Sequence, residues 1–347
     1  MRKSFFRLLL PFTICILLST GCANNQTESA SAASFDAASS QYERSSDLIE
    51  SGTSDGEVLN PVNSYDILSV PTYITKIKDL YFIVDCYHNE VVFNENLTDP
   101  INEWSVMTSD IEMGHTIASD GVVYLIDDTE RHRVLIMEET TDNKGATQFI
   151  PTQEFNDIGT RPHYIIYNED TDTFYVLSSM TGELYLFRRD HKDNRVYLTD
   201  TLSIPELNGF YVRSFTIMDD SIFFVSGNAN IIEAKLTDLS IINRYPVPFE
   251  MYGMVQLEKI EDYYYITVST DGNGSQDAAT IVRTKDLNKL IDGEFEDIYS
   301  NFVGGGTPYA ITKIDDDYYL CEHRLPGHHI WRFNVKDNEI LSPETLY

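Results

Sequence analysis

The chain has 347 residues and a formal charge of −30, from 55 acidic side chains against 25 Lys and Arg. That excess repels phosphate backbones and anionic headgroups, which excludes nucleic acid as a partner and electrostatic adhesion to a bilayer surface. After the first two dozen residues no long apolar stretch recurs, so no transmembrane span is expected.

In chain order, the first element is a targeting segment over residues 1–22. Arg2, Lys3 and Arg7 precede an apolar run, residues 8–18, that is too short to span a bilayer comfortably. It ends Ser19-Thr20-Gly21-Cys22, which resembles a bacterial lipobox. In a lipobox, signal peptidase cuts before a Cys that carries thioether-linked diacylglycerol. The resemblance implies lipidation of Cys22, palmitate-type acyl chains and a membrane anchor facing outside the cytoplasm. Loss of the three basic residues takes the charge to −33. Residues 23–60 are rich in Ser, Ala, Asn, Glu and Asp and poor in aromatics, a composition expected of a disordered tether.

Residues 61–347 carry a phrase in six copies: Pro71-Thr72-Tyr73-Ile74, Gly114-His115-Thr116-Ile117, Pro162-His163-Tyr164-Ile165, Val212-Arg213-Ser214-Phe215, Met251-Tyr252-Gly253-Met254 and Pro308-Tyr309-Ala310-Ile311. Each leads, after a short polar turn, into an aromatic and β-branched run. Counting from the second residue of each copy, the steps are 43, 48, 50, 39 and 57 residues. A period of roughly 40–50 residues holding several short strands is the signature of a β-propeller. The chain is therefore read as all-β: a six-bladed propeller of four-stranded antiparallel blades. Blade two predicts strands A to D over residues 115–119, 122–127, 133–139 and 148–155. Blade three predicts 163–167, 174–178, 183–189 and 195–204. Ring closure is assigned to an N-terminal strand, residues 65–70, completing the last blade, with residues 339–342 as the alternative.

Alternating strand directions place the D-to-A and B-to-C connections on one face. The second residue of each phrase falls at the channel mouth on that face. Thr72, His115, His163, Arg213, Tyr252 and Tyr309 are thus the candidate ligand-binding ring. Seven of the eight histidines gather there (His88, His115, His132, His163, His323, His328 and His329), and only His191 falls in a C-to-D turn. Imidazole is a common zinc ligand and titrates near neutrality. His115 and His163, on adjacent blades, are placed to share a divalent metal, zinc or calcium, with Asp127 as a carboxylate ligand; Asp85 and Glu322 are other carboxylates in reach. Arg213 suits a bidentate pair with a substrate carboxylate, and Tyr252 or Tyr309 suits acid, base or donor work. The same residues also suit ligand binding without catalysis, or plain lining of a wet channel. Cys86 and Cys321 sit at matching places in the first and last repeats, where a disulfide outside the cytoplasm would fasten the ring. Asp271 to Asp277 alternates oxygen side chains as calcium loops do but lacks the closing Glu, Val282 standing there, and reads as a turn.

Pro162-His163-Tyr164-Ile165, Pro308-Tyr309-Ala310-Ile311, Asp85 through Val91 and Asp127 through Val134 together resemble repeats of the NHL and gluconolactonase-like propellers. The resemblance covers residues ~65–341 and implies the same six-bladed fold. Ser226 and Ser269 stand near where that pattern has Asp in blades four and five. In one branch, the peptidylglycine amidating lyases, histidines at strand-A starts hold zinc and Arg and Tyr act in catalysis. His115, His163, Arg213 and Tyr309 are similar to members of that set, whose third histidine has no counterpart in the phrase. The expectation is a cell-envelope lipoprotein that binds a small molecule or glycan fragment at its histidine-rich face. The alternatives are a metal-dependent lyase or lactonase-like hydrolase at the channel mouth, and a protein-interaction scaffold.

Overall fold

The computed structural model describes residues 47–48 and 60–347. The targeting segment, Cys22 and nearly all of the tether lie outside the described residues. No helix among the described residues is long and apolar enough to cross a membrane.

The chain folds as a six-bladed propeller of antiparallel four-stranded blades, each running from an inner strand A to an outer strand D. Blade one is Pro71–Ile77, Leu80–Asp85, Glu90–Asn94 and Ser105–Thr108. Blade two is Ile117–Ser119, Val123–Asp128, Arg133–Thr141 and Thr147–Phe155. Blade three is Pro162–Asn168, Thr173–Ser178, Glu183–Arg189 and Val196–Ser203. Blade four is Val212–Met218, Ser221–Ser226, Asn230–Lys235 and Ile241–Pro246. Blade five is Met254–Ile260, Tyr263–Val268, Thr280–Thr284 and Glu296–Asp297. Blade six is Thr307–Ile314, Asp317–His323, Ile330–Lys336 and Glu339–Thr345. Asp47–Leu48 adds a short fifth strand to blade two by pairing with Gln153 and Glu154.

The strands are rich in β-branched and aromatic residues because each blade is covered on both faces by its neighbours. Val123–Asp128 is accordingly buried at all six positions. The core is divided into six wedges, one per blade interface. In the wedge between blades one and two, Phe82, Tyr124 and Phe149 meet with ring centroids 5.0–5.6 Å apart. Each such side chain contributes about 1.5–3 kcal/mol by burial.

Near the channel, consecutive blades are also joined by single buried polar side chains. Thr72 Oγ1 donates to the His115 carbonyl (2.9 Å), Thr116 Oγ1 accepts from Ile165 N (2.9 Å), and His163 Nδ1 donates to the Arg213 carbonyl (2.8 Å). Ser214 Oγ donates to the Val255 carbonyl and Thr267 Oγ1 to the Tyr309 carbonyl, both at 2.6 Å. These five bonds join blades one through six in sequence, each worth about 1 kcal/mol.

The sixth interface differs, and it corrects the expected closure. The outer strand of blade six is Glu339–Thr345, the alternative segment, while residues 65–70 run as irregular chain. The cause is local: the Asp85 carboxylate accepts the amide hydrogens of Ser69 and Val70, both at 2.8 Å, which takes those donors away from any ladder. Leu68 instead becomes an apolar plug, packed with Ile74, Trp104, Tyr319 and Ile330. The Tyr347 hydroxyl bonds the Asp99 carbonyl of blade one (2.7 Å), and its main-chain oxygen accepts from His329 N of blade six (2.6 Å). Cys86 and Cys321 are both free and buried; the ring carries no disulfide between them.

Candidate functional site

In five blades the pairing of strands A and B slips by one residue at the start of A. The slips fall between Pro71 and Tyr73, Pro162 and Tyr164, Val212 and Ser214, Met254 and Gln256, and Pro308 and Ala310. A bulge releases one residue from the ladder and re-aims its side chain. The released residues are Thr72, His163, Arg213, Val255 and Tyr309. His115 takes the same place in blade two, two residues before Ile117, the first to pair. Five of the six expected ring residues therefore stand where the phrase put them. Blade five is the exception: Val255 occupies the ring, and Tyr252 caps the 3-10 turn Phe249–Met251 three residues upstream. That turn imitates the phrase with its aromatic and glycine. Gly253 is required there for another reason, since a Cβ would lie 2.1 Å from Thr270 Oγ1.

At the mouth, the His115 and His163 rings stack with centroids 3.8 Å apart and planes 23° from parallel. Tyr309 reaches across from blade six, stacking on His115 at 5.9 Å and placing its hydroxyl 3.4 Å from His163 Nε2. Tyr211 meets His163 edge-on at 5.4 Å. The channel mouth is thus filled by side chains from opposite sides of the ring.

The hydrogen-bond network assigns both tautomers. His163 Nδ1 faces a carbonyl, so it carries the hydrogen. His115 Nδ1 lies 3.0 Å from Thr129 Oγ1, whose single proton already has two acceptors, Pro162 O (2.7 Å) and Asp127 Oδ2 (3.0 Å). Nδ1 of His115 therefore donates, and both histidines present Nε2 as a lone pair. Burial, helped by His115 and Arg213, holds the His163 pKa well below its usual value, so the ring stays neutral. Burial likewise pushes the Tyr309 phenol well above its usual value, which keeps it a donor.

Asp127 is not available as their third ligand. Its carboxylate accepts from His115 N, Thr116 N, Thr116 Oγ1 and Thr129 Oγ1 at 2.6–3.0 Å, so its oxygens serve the fold. Among the described residues, the group of His, Cys, Asp and Glu side chains close enough to hold a metal ion is Asp85, His88 and Glu90, with ligand atoms within 4.8 Å of one another. Asp85 orients His88 through Nδ1 (2.9 Å), and Tyr65 stacks flat on the imidazole at 3.5 Å. Glu90 is buried with Oε1 unpartnered, and burial beside Asp85 raises its pKa to about 7. That orphaned oxygen fits a bound cation, and the donor set was visible in the sequence as a local Asp-x-x-His-x-Glu run.

Two guanidinium groups converge on Tyr211, Arg213 at 5.3 Å from the ring centre and Arg161 at 5.9 Å. Arg213 Nη1 donates to Ser269 Oγ (2.5 Å), while Arg161 Nε is buried without a partner. Tyr211, Arg161 and Thr129 were missed from sequence, and Ser269 stood out there only as a departure from the Asp of the resembled repeats. Tyr211 directly precedes the Val212 phrase, and that adjacency was the one available signal. Of the other face histidines, His328 stacks on Trp331 at 5.2 Å, and burial lowers the His323 pKa to about 4.

These features define an all-β propeller with a plugged, histidine-lined mouth. No protein-family model and no curated protein matches the chain by sequence. Among solved structures it is similar to a streptogramin B lyase (15% identity, TM-score 0.53, covering 83% of this chain and 86% of that one). A catalytically inactive virginiamycin B lyase from Staphylococcus aureus with quinupristin is similar at 17% identity and TM-score 0.51, over 83% and 87% of the two chains. A putative 6-phosphogluconolactonase from Bacteroides fragilis follows at 11% identity and TM-score 0.56, over 79% and 84%. At these identities the likeness is one of fold.

Proposed function

We propose that this chain is a lipid-anchored binding module of the cell envelope that takes a small anionic molecule, such as a carboxylated metabolite or glycan fragment, at the channel mouth. One observation carries the reading: Arg161 and Arg213 converge on Tyr211 beside the His115–His163 stack, on a protein whose formal charge is −30. Arg161 is already paired with Glu130, so Arg213, which meets the neutral Ser269 hydroxyl, is the guanidinium left to bind an anion. Tyr309 and Tyr211, packed against the two imidazoles, offer apolar faces to the ligand. The anchor is supported by Ser19-Thr20-Gly21-Cys22. A thermal-shift screen of carboxylated and neutral sugars and metabolites tests the reading, because a ligand specific to the folded state raises its melting temperature. The expected result is a shift with anionic compounds that Arg213→Ala abolishes. A hit whose affinity is unchanged in Arg213→Ala and Arg161→Ala sinks the proposal. Loss of acyl labelling in Cys22→Ala is the matching test of the anchor.

A second reading, a metal-dependent lyase or lactonase-like hydrolase, is favoured by Asp85, His88 and Glu90. Asp85, whose oxygens already meet Ser69 N, Val70 N and His88 Nδ1, would orient the imidazole while His88 and Glu90 ligate, a donor set that suits zinc, whereas calcium prefers an all-oxygen shell. Bound there, zinc would act as a Lewis acid toward a carbonyl. Metal analysis of purified protein decides: stoichiometric zinc lost in Glu90→Gln supports this reading, and zinc retained in that variant removes it.

A further inference from the structure

Cys86 opens the 3-10 turn that follows strand B of blade one, and its sulfur faces two other donors. Met113 Sδ lies 3.9 Å away and His115 Nε2 lies 3.8 Å away. His115 is only 6% exposed, and its Nε2 lone pair is aimed at this thiol. A contact of that length compensates a buried imidazole nitrogen poorly.

Both distances from the Cys86 sulfur are those expected between ligands of one ion. Donors arranged in a plane at about 2.3 Å for sulfur and about 2.0 Å for nitrogen lie about 4.0 Å apart (S to S) and about 3.7 Å apart (S to N). The chain also holds Met113 in place against its backbone preference. Its φ of 58° is in the left-handed region that bulky side chains avoid. Asn89 Oδ1 accepts the Met113 amide hydrogen (2.9 Å), and Asp128 Oδ1 accepts that of Glu112 (2.8 Å). The next residue must be Gly114, since a Cβ there would stand 2.8 Å from the Asp127 carbonyl.

We propose that Cys86, Met113 and His115 form a binding site for a soft monovalent cation, Cu(I) being the biological one. A thiolate, a thioether and an imidazole select Cu(I) over harder ions, and the thiol proton passes to solvent as the ion binds. Met113 is half-buried, the most exposed of the three donors. The site depends on Cys86 and Met113, which anion binding at Arg161 and Arg213 does not use.

Anaerobic titration of the full chain with Cu(I), against a chromogenic Cu(I) chelator, tests this. Wild-type protein is expected to withhold one equivalent that Cys86→Ser releases. Met113→Leu and His115→Asn are expected to bind at least tenfold more weakly, and Arg213→Ala to bind as wild type. X-ray absorption of the loaded protein is expected to show sulfur at about 2.3 Å. Equal retention by wild type and Cys86→Ser would assign the copper to Cys15, Cys22 or Cys321 and overturn the proposal. Unchanged affinity in Met113→Leu would overturn the three-donor set. If Cys86→Ser fails to fold, Met113→Leu decides alone, because leucine conserves the volume.

Discussion

Around the channel mouth, blade two presents His115, Thr116, Asp127 and Asp128. In the same register blade five presents Val255, Gln256, Thr267 and Val268. Both blades solve one structural problem, which is to tie an inner strand to its neighbour. Thr116 accepts from Ile165 N in blade three, and Gln256 brackets Ile311 of blade six, accepting from its N–H (2.6 Å) and donating to its carbonyl (3.1 Å). Neutral amide and hydroxyl groups therefore suffice for the fold. Blade two adds two buried carboxylates and an imidazole to that minimum. Buried charge is expensive, so its presence in blade two marks that side of the ring off from the neutral pairing of blade five.

The comparison is broken or sharpened most strongly at Asp127. Asp127→Ala leaves His115 N, Thr116 N and Thr116 Oγ1 without that acceptor and is expected to cost about 3–5 kcal/mol in urea unfolding. Thr267→Ala at the matching position in blade five is expected to cost about 1 kcal/mol. Equal losses would erase the distinction between the blades. Gln256→Leu strips both groups of Ile311 of their partner and is expected to cost about 2 kcal/mol, showing that blade five contributes by stapling.

Titration separates the two sides with opposite signs. Burial raises the Glu258 carboxyl in blade five to about 8 from its ordinary 4.5, so it stays protonated in the folded chain where the unfolded chain ionises. Its contribution is complete below pH 4.5 and is lost as pH rises through about 8. Glu258→Gln is expected to raise the melting temperature at pH 8 by about 2–4 °C for each kcal/mol recovered, and to change nothing at pH 4. His163 in blade three runs the other way: its depressed pKa contributes stability above pH 6.5 that is lost as pH falls. His163→Gln is expected to flatten the acid limb of the stability profile. The smallest expected effect on folding is that of Arg213→Ala, within about 0.5 kcal/mol, since this side chain is only half-buried and lies outside the apolar wedges.

Much of this architecture was legible in the sequence, because turn residues and alternation report local geometry. The strands of blade three fall within one or two residues of their expected bounds. What stayed hidden depended on which partner an amide finds. Ser69 and Val70 look like ladder residues, yet they spend their hydrogens on Asp85. Tyr252-Gly253 carries the aromatic and turn signals of the phrase, while the true bulge at Val255 carries neither. The pairing of His163 with Tyr309 spans 146 residues and crosses the ring, and Cys86 meets Met113 across 27. Ring membership could be read one blade at a time; contacts across the mouth required the closed ring.

The bulge that begins strand A has a consequence for how such a protein changes. Within a ladder, a side chain is tied to one face by the pleat, so substitution there is judged by packing. Positions 72, 163, 213, 255 and 309 are exempt, since the extra residue is absorbed before pairing resumes. They behave as interchangeable settings in a fixed mount, already occupied here by Thr, His, Arg, Val and Tyr. A library varied at those five sites would explore new recognition chemistry outside the six apolar wedges, at a cost of about 1 kcal/mol wherever Thr72 or His163 loses its bond to the next blade.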